Sequence, residues 1–325
     1  MKLTFLAMAL LLTPGLASYA ATEEHLDKRF AVQPGGKLLV DVDFGSIELA
    51  TNNASEVTVE VFRRVVRPTR DEEEAFLAER PVNFSPDGNT LTIYSRANRP
   101  KETSRGTQRT EGKYVITVPS QFSAQLKTDG GTIDVSDLNG EVQANSRGGD
   151  LKFARVQGRL EGVTAGGAVR VTGCDGAQHV KSSGGSIDVS GGAGSLKGST
   201  SGGAVAVKNF RGPVEVKTAG GPINIENITG KVEGMTSGGS ISAEFASPPS
   251  DDINLATSGG GVTLRVAENA AFDLDAATLA GQVSSDLPVQ TAQKQSPNRL
   301  KGTINGGGKA VVLRTTAGGI QVRRL

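Results

Sequence analysis

From about residue 126 onward, apolar and polar positions alternate in short segments, and the alternation returns every 18 residues. Gly-Gly pairs open at Gly130, Gly148, Gly166, Gly184, Gly202, Gly220 and Gly238, and the next opens at Gly259, 21 residues on. Two and four residues beyond the second glycine stand Ile133/Val135, Leu151/Phe153, Val169/Val171, Ile187/Val189, Val205/Val207, Ile223/Ile225 and Ile241/Ala243. Between the members of each pair lies Asp134, Lys152, Arg170, Asp188, Ala206, Asn224 or Ser242. Mostly β-branched residues at a period of two, with variable polar residues between them, predict a half-buried strand.

A lone glycine follows ten residues after each pair opens, at Gly140, Gly158, Gly176, Gly194, Gly212 and Gly230, and divides the repeat into two segments. The second segment turns Val142, Leu160, Leu196, Val214 and Val232 inward, a column that Gln178 interrupts. Four residues later the column is hydroxylic: Thr128, Ser146, Thr164, Ser182, Thr200, Thr218 and Thr236. One such unit buries too little to fold alone. Stacked at ~4.8 Å per coil, like residues lie over like and the columns become ladders. The pattern therefore predicts an all-β fold, a parallel β-helix with 18-residue coils. The corner glycines are expected to turn with positive φ, and the hydroxyl column to bond neighbouring coils or the corner backbone, since a buried hydroxyl needs a partner.

Three regions follow. Residues 1–20 have the form of a signal peptide: Lys2, an apolar run from Leu3 to Leu16, and small residues at Ser18 and Ala20 that place cleavage after Ala20. Residues 21–125 are expected to form less regular opening coils and a cap. There Leu38, Val40 and Val42, then Ile47 and Leu49, then Val57, Val59 and Val61 alternate. Thr69 with Glu72 forms a capping pair for a short helix to about Arg80, and 95–112 is a charged, mobile loop. Residues 126–325 carry the regular coils and a C-terminal cap, with a longer insertion at 285–301. No later stretch is apolar enough to span a bilayer, which makes the expected mature chain an exported one of the periplasm, cell surface or medium.

Composition narrows the chemistry. Among 325 residues there are 43 glycines, no tryptophan, two histidines, one cysteine and a formal net charge of +1. A near-neutral chain argues against nucleic acid as partner. One cysteine and two histidines leave no cysteine/histidine metal cluster, and no cofactor is expected. Asp134 and Asp188 resemble a calcium-binding repeat position, but Lys152 and Arg170 occupy the same column and oppose a cation. Cys174 aligns with Leu138, Val156, Phe210 and Ile228 and is expected to be a buried thiol; His179 falls in the outward phase, and His25 is expected to be disordered near the mature terminus.

The run Phe30-Ala-Val-Gln-Pro-Gly-Gly-Lys-Leu-Leu-Val-Asp-Val-Asp-Phe-Gly-Ser-Ile-Glu-Leu49, the segment Tyr114-Val-Ile-Thr-Val-Pro119 and the repeated Thr/Ser-x-Gly-Gly-x-Ile/Val-x-Val resemble the bacterial adhesin-like proteins with repeated β-strands, the DUF4097 family. The resemblance implies a β-helical exported or envelope protein and no defined activity. The expected function is non-catalytic: adhesin-like binding or assembly through the solenoid faces, toward envelope polysaccharide, protein or a second copy. The candidate binding face is the outward row Asp134, Lys152, Arg170 and Asp188, which could equally be a charge-compensated solvent ladder. The alternatives are a lyase- or hydrolase-like enzyme acting on glycans through that row, which needs paired carboxylates, or carboxylates with a basic residue, in a cleft usually beside sugar-stacking aromatics, and a structural or stress-related envelope protein.

Overall fold

The computed structural model describes residues 21–97, 109–291 and 296–325. The expected leader and residues 98–108 of the expected mobile loop lie outside the described residues. Within them, successive strands of the coils alternate between two sheets of fourteen strands each. In the first sheet Ile133, Leu151, Val169, Ile187, Val205, Ile223, Ile241, Val262 and Ile320 stand in parallel register. The second sheet stacks Ala124, Val142, Leu160, Gln178, Leu196, Val214, Val232, Ile253 and Val311 in the same way. The parallel β-helix expected from the period is the fold observed.

The inward columns of both sheets form one continuous apolar core. Phe153 is buried beside Gly162, where an added Cβ would approach the phenyl ring at 2.9 Å. A large side chain in one sheet is thus matched by a missing one in the other, which keeps the interior close-packed. The 21-residue coil keeps its register, because Ile241 still faces Val262 and Val232 still faces Ile253. Its three extra residues fall in the corner between Phe245 and Ile253, outside both strands.

The glycine pairs act otherwise than expected. None of those opening from Gly130 to Gly259 has positive φ. A Cβ on the second glycine of each pair would instead fall well inside van der Waals contact of a carbonyl oxygen in the preceding coil: Gly149 on Gly131, Gly167 on Gly149, Gly203 on Gly185. Left-handed turning is done elsewhere, at the lone glycines from Gly158 to Gly230 and at a column holding Asp137, Arg155, Gly173, Gly191, Asn209 and Asn227, with φ between 51° and 70°.

The N-terminal region departs from a coil. The strands are β1 (Thr22–Ala31), β2 (Gly36–Val42), β3 (Ser46–Asn52) and β4 (Glu56–Val66), then helix α1 (Arg70–Ala78), then β5 (Asn83–Asp87), β6 (Thr90–Ser95), β7 (Arg109–Pro119) and β8 (Phe122–Thr128). β2 and β3 are opening-coil strands as expected, parallel to β8 and to the strand Ile133–Ser136 respectively. β4, however, runs antiparallel between β1 and β7, so Val57, Val59 and Val61 belong to a hairpin-like cap rather than to a coil. His25 is ordered within β1, its ring 4.9 Å from that of Phe62, because β4 supplies a ten-residue partner for a segment with no repeat of its own. Thr69 caps α1 as expected, its hydroxyl accepting the Glu72 N–H at 3.3 Å. At the other end Phe272–Thr278 pairs antiparallel with Arg299–Ile304. The first sheet, by contrast, ends at this side on a short parallel strand, Val283–Ser285, and a strand of three residues leaves little open edge for further pairing.

Candidate functional site

Asp134, Lys152, Arg170 and Asp188 occupy the middle of four consecutive strands of the first sheet, each between two fully buried apolar residues. Period two then forces all four side chains outward. Register brings them into one row, Asp134 beside Lys152, Lys152 beside Arg170 and Arg170 beside Asp188. The row is balanced in sum, yet among the described residues none of the four is in an ion pair; Asp188 accepts a hydrogen bond from the Ser186 hydroxyl at 3.1 Å. Two cations thus stand side by side on adjacent strands, an unfavourable contact that the aspartate on the other side of each offsets without closing to an ion pair.

Beside Arg170 and Asp188 the surface dips into a shallow depression of about 280 Å³, whose lining includes Thr172, Ser190, Ala206 and Lys208. Lys208 was not singled out in the sequence. It lies two residues past Ala206 in the column of Thr172 and Ser190, and it pairs with Glu226 at 2.9 Å.

The outer face of the second sheet differs. Arg159 meets Glu141 at 3.8 Å and Glu161 at 3.9 Å, Lys197 and Lys217 meet Glu215 at 3.5 and 2.6 Å, and Lys231 meets Glu233 at 2.6 Å. The Lys217 hydrogen bond holds the Glu215 carboxyl below its ordinary range. Most charges of that face are paired within it, Lys181 apart.

The geometry is unsuited to glycan cleavage by the Asp134/Asp188 pair. Three strand spacings of ~4.8 Å put these carboxylates roughly 14 Å apart, beyond the roughly 5–9.5 Å over which paired carboxylates work on a glycosidic bond. Phe153, Phe210 and Phe245 all point into the core, so none is available to stack on a sugar. Among the described residues no group of three histidine, cysteine, aspartate or glutamate side chains could hold a metal. Cys174 is buried as expected. Its sulfur accepts the Val156 N–H at 3.4 Å, and burial pushes the thiol pKa up. The polar interruption at Gln178 is also internal, its amide donating to the Cys174 carbonyl at 2.7 Å.

A second charged cluster was not foreseen. Under α1, the Arg63 side chain has no exposure; it pairs with Glu24 and donates to the Arg80 carbonyl at 2.6 Å. Arg80 pairs with Asp43 at 2.8 Å, and the Arg67 and Arg80 guanidiniums lie 4.2 and 3.8 Å from the centre of the Phe76 ring. The signal was present: Arg63 and Arg67 continue the inward phase of Val57, Val59, Val61 and Val65.

Residues 37–323 match the family Toastrack DUF4097. The chain belongs to that family. Solved structures similar to it include a "putative adhesin" of Parabacteroides merdae ATCC 43184, 12% identical with a TM-score of 0.39, covering 92% of this chain and 96% of that one. Another is a "putative adhesin" of Bacteroides fragilis NCTC 9343, 12% identical with a TM-score of 0.33, covering 93% and 97%. A third, a "putative lipid binding protein" of Parabacteroides distasonis ATCC 8503, is 13% identical with a TM-score of 0.38, covering 93% and 96%. No curated protein matches the chain.

Proposed function

We propose that this Toastrack chain is an exported, non-catalytic, adhesin-like solenoid of the bacterial envelope that binds an extended polysaccharide along the outer face of its first sheet. The observation that carries this reading is the contrast between the two faces. One pairs most of its charges within itself, Lys181 apart, whereas the other leaves Lys152 and Arg170 unpaired, with Arg170 on the rim of a depression whose lining includes several short side chains. Thr172, Ser190 and Ala206 lose little side-chain entropy when covered, whereas the lysines and glutamates of the second face would lose more. Strands repeating every ~4.8 Å present polar groups at a regular pitch, which suits an extended polymer better than a compact ligand.

Export is supported by the apolar run and the small residues before Ala21, and among the described residues no helix is long and apolar enough to cross a membrane. The non-catalytic reading is supported, against a paired-carboxylate hydrolase, by the carboxylate spacing and, against sugar stacking, by the inward aromatics.

Co-sedimentation of the chain from Ala21 onward with insoluble envelope polysaccharide tests the reading, with sedimentation velocity run alongside. Saturable binding by a monomer is the expected result. A protein that stays in the supernatant at every concentration, or that only self-associates, contradicts it.

A further inference from the structure

Glu73 lies in the first turn of α1 and is 2% exposed. Its carboxylate accepts the Thr22 N–H at 3.0 Å, the Thr22 hydroxyl at 2.6 Å and the Arg67 N–H at 3.0 Å. These bonds, the Thr22 hydroxyl first, draw its pKa below the usual 4.5 and keep it ionised. Yet among the described residues no cation lies within 4.0 Å of it. The Arg67 guanidinium is turned away, donating to the carbonyls of Val66 and Arg109 and to the Thr110 hydroxyl. Arg63 and Arg64 are taken up by Glu24 and Glu23. The carboxylate is thus held mainly by hydrogen bonds, with the Arg67 charge acting on it only from beyond ion-pair distance, and it lacks the direct counter-ion such a buried group ordinarily needs.

The missing cation is one residue away. The backbone nitrogen of Ala21 precedes that of Thr22 by three bonds and so lies at most about 3.7 Å from it, which puts it within about 7 Å of the Glu73 carboxylate. In a chain that continues toward Met1 this nitrogen is a neutral amide. In a chain cut after Ala20 it is an α-ammonium. We propose that the end of β1 is a receptor for the processed amino terminus: cleavage after Ala20 creates the ammonium that pairs with Glu73 and completes the cap over α1. Removal of the leader would then be recorded in the stability of the fold. The inference rests on the export reading for its cleavage site, and on the geometry of Glu73 for its receptor.

Two measurements separate those supports. N-terminal mass spectrometry of the exported protein should give Ala21 as the first residue; any other start overturns the proposal whatever the protein binds. The pKa of the Ala21 α-amino group, followed by NMR on specifically labelled protein, should lie at least about half a unit above the ordinary ~7.7–8.0. In Glu73→Gln, whose one remaining oxygen can still accept from Thr22 while the Arg67 N–H loses its acceptor, it should return to that range. Nα-acetylation should lower the melting temperature by about 1–3 °C at pH 7 and leave the Gln variant unchanged. A folded-state pKa raised in this way stabilises below the ordinary α-amino range, and the gain fades as pH rises through the raised value. Equal α-amino pKa values in the two proteins, or an equal effect of acetylation on both, would show that Glu73 does not receive the terminus.

Discussion

The hydroxyl of Thr164 donates to the carbonyl of Gly149, fifteen residues earlier, at 2.8 Å, and accepts the N–H of Gly167 at 3.2 Å. It thereby ties the corner of its own coil to the corner of the coil before. The same double bond recurs at Ser146, Ser182, Thr200, Thr218, Thr236 and Thr257. This column satisfies backbone groups that glycine corners would otherwise leave open. Thr200→Val keeps the volume and removes both bonds, stranding the Gly185 carbonyl and the Gly203 N–H. It should cost about 1–3 kcal/mol, while Thr200→Ser should cost well under half of that. Chemical denaturation of both variants checks this.

Within each glycine pair the two positions should respond oppositely. Gly203→Ala places a methyl against the Gly185 carbonyl in the neighbouring coil, a backbone group that cannot step aside, and should destabilise by about 3 kcal/mol or more. At Gly202 the nearest atom to an added Cβ is 3.5 Å away and φ is not positive. Gly202→Ala should therefore be neutral, or stabilising by up to about 1 kcal/mol through a less flexible unfolded chain. Equal losses would show that turning, and not close approach of coils, selects glycine here.

Inward and outward phase can be separated within one strand. Val207 is fully buried and Ala206, its neighbour, lines the outer depression. Val207→Asp should lower stability by about 4 kcal/mol or more, since it buries an unpaired charge, and should unfold the protein near physiological temperature. Ala206→Asp stands next to Asp188 in register and should cost only a few tenths of a kcal/mol. Thermal melts of the two variants decide the point.

The periodic half of the molecule was legible because an 18-residue repeat writes each column many times over, so that one odd residue such as Gln178 cannot hide it. The caps carry no such redundancy. β1 alternates Thr22, Glu24 and Leu26 on its inner side, and two of those three are polar because their partners, Glu73 and Arg63, are buried charges; polarity was therefore a poor guide to facing. Antiparallel pairing of β4 left no mark that distinguishes it from a coil strand. The outward row was legible by phase alone, whereas its unpaired state and the depression beside it depend on side-chain positions that no spacing specifies. The reason for the Gly-Gly corners was likewise hidden, since a close approach between coils and a left-handed turn select the same residue.

Cys174 should be unreactive in the folded protein. Burial pushes its thiol pKa above the ordinary 9.0, and only the thiolate attacks a disulfide reagent. An aromatic disulfide reagent at pH 8 should label it at least about a hundredfold more slowly in buffer than in denaturant. Labelling at equal rates would mean that the core opens around Val156 and Gln178 far more often than a packed ladder permits.

The claim that the first sheet's outer face is the binding surface is tested most directly by reversing charge on each face in turn and measuring co-sedimentation with envelope polysaccharide. Lys152→Glu with Arg170→Glu removes the two unpaired cations and should reduce binding at least about tenfold. Arg159→Glu with Lys197→Glu alters the largely paired face and should leave binding within about twofold of wild type. Binding that survives the first pair of changes and is lost with the second would place the functional surface on the opposite side of the solenoid and contradict the account.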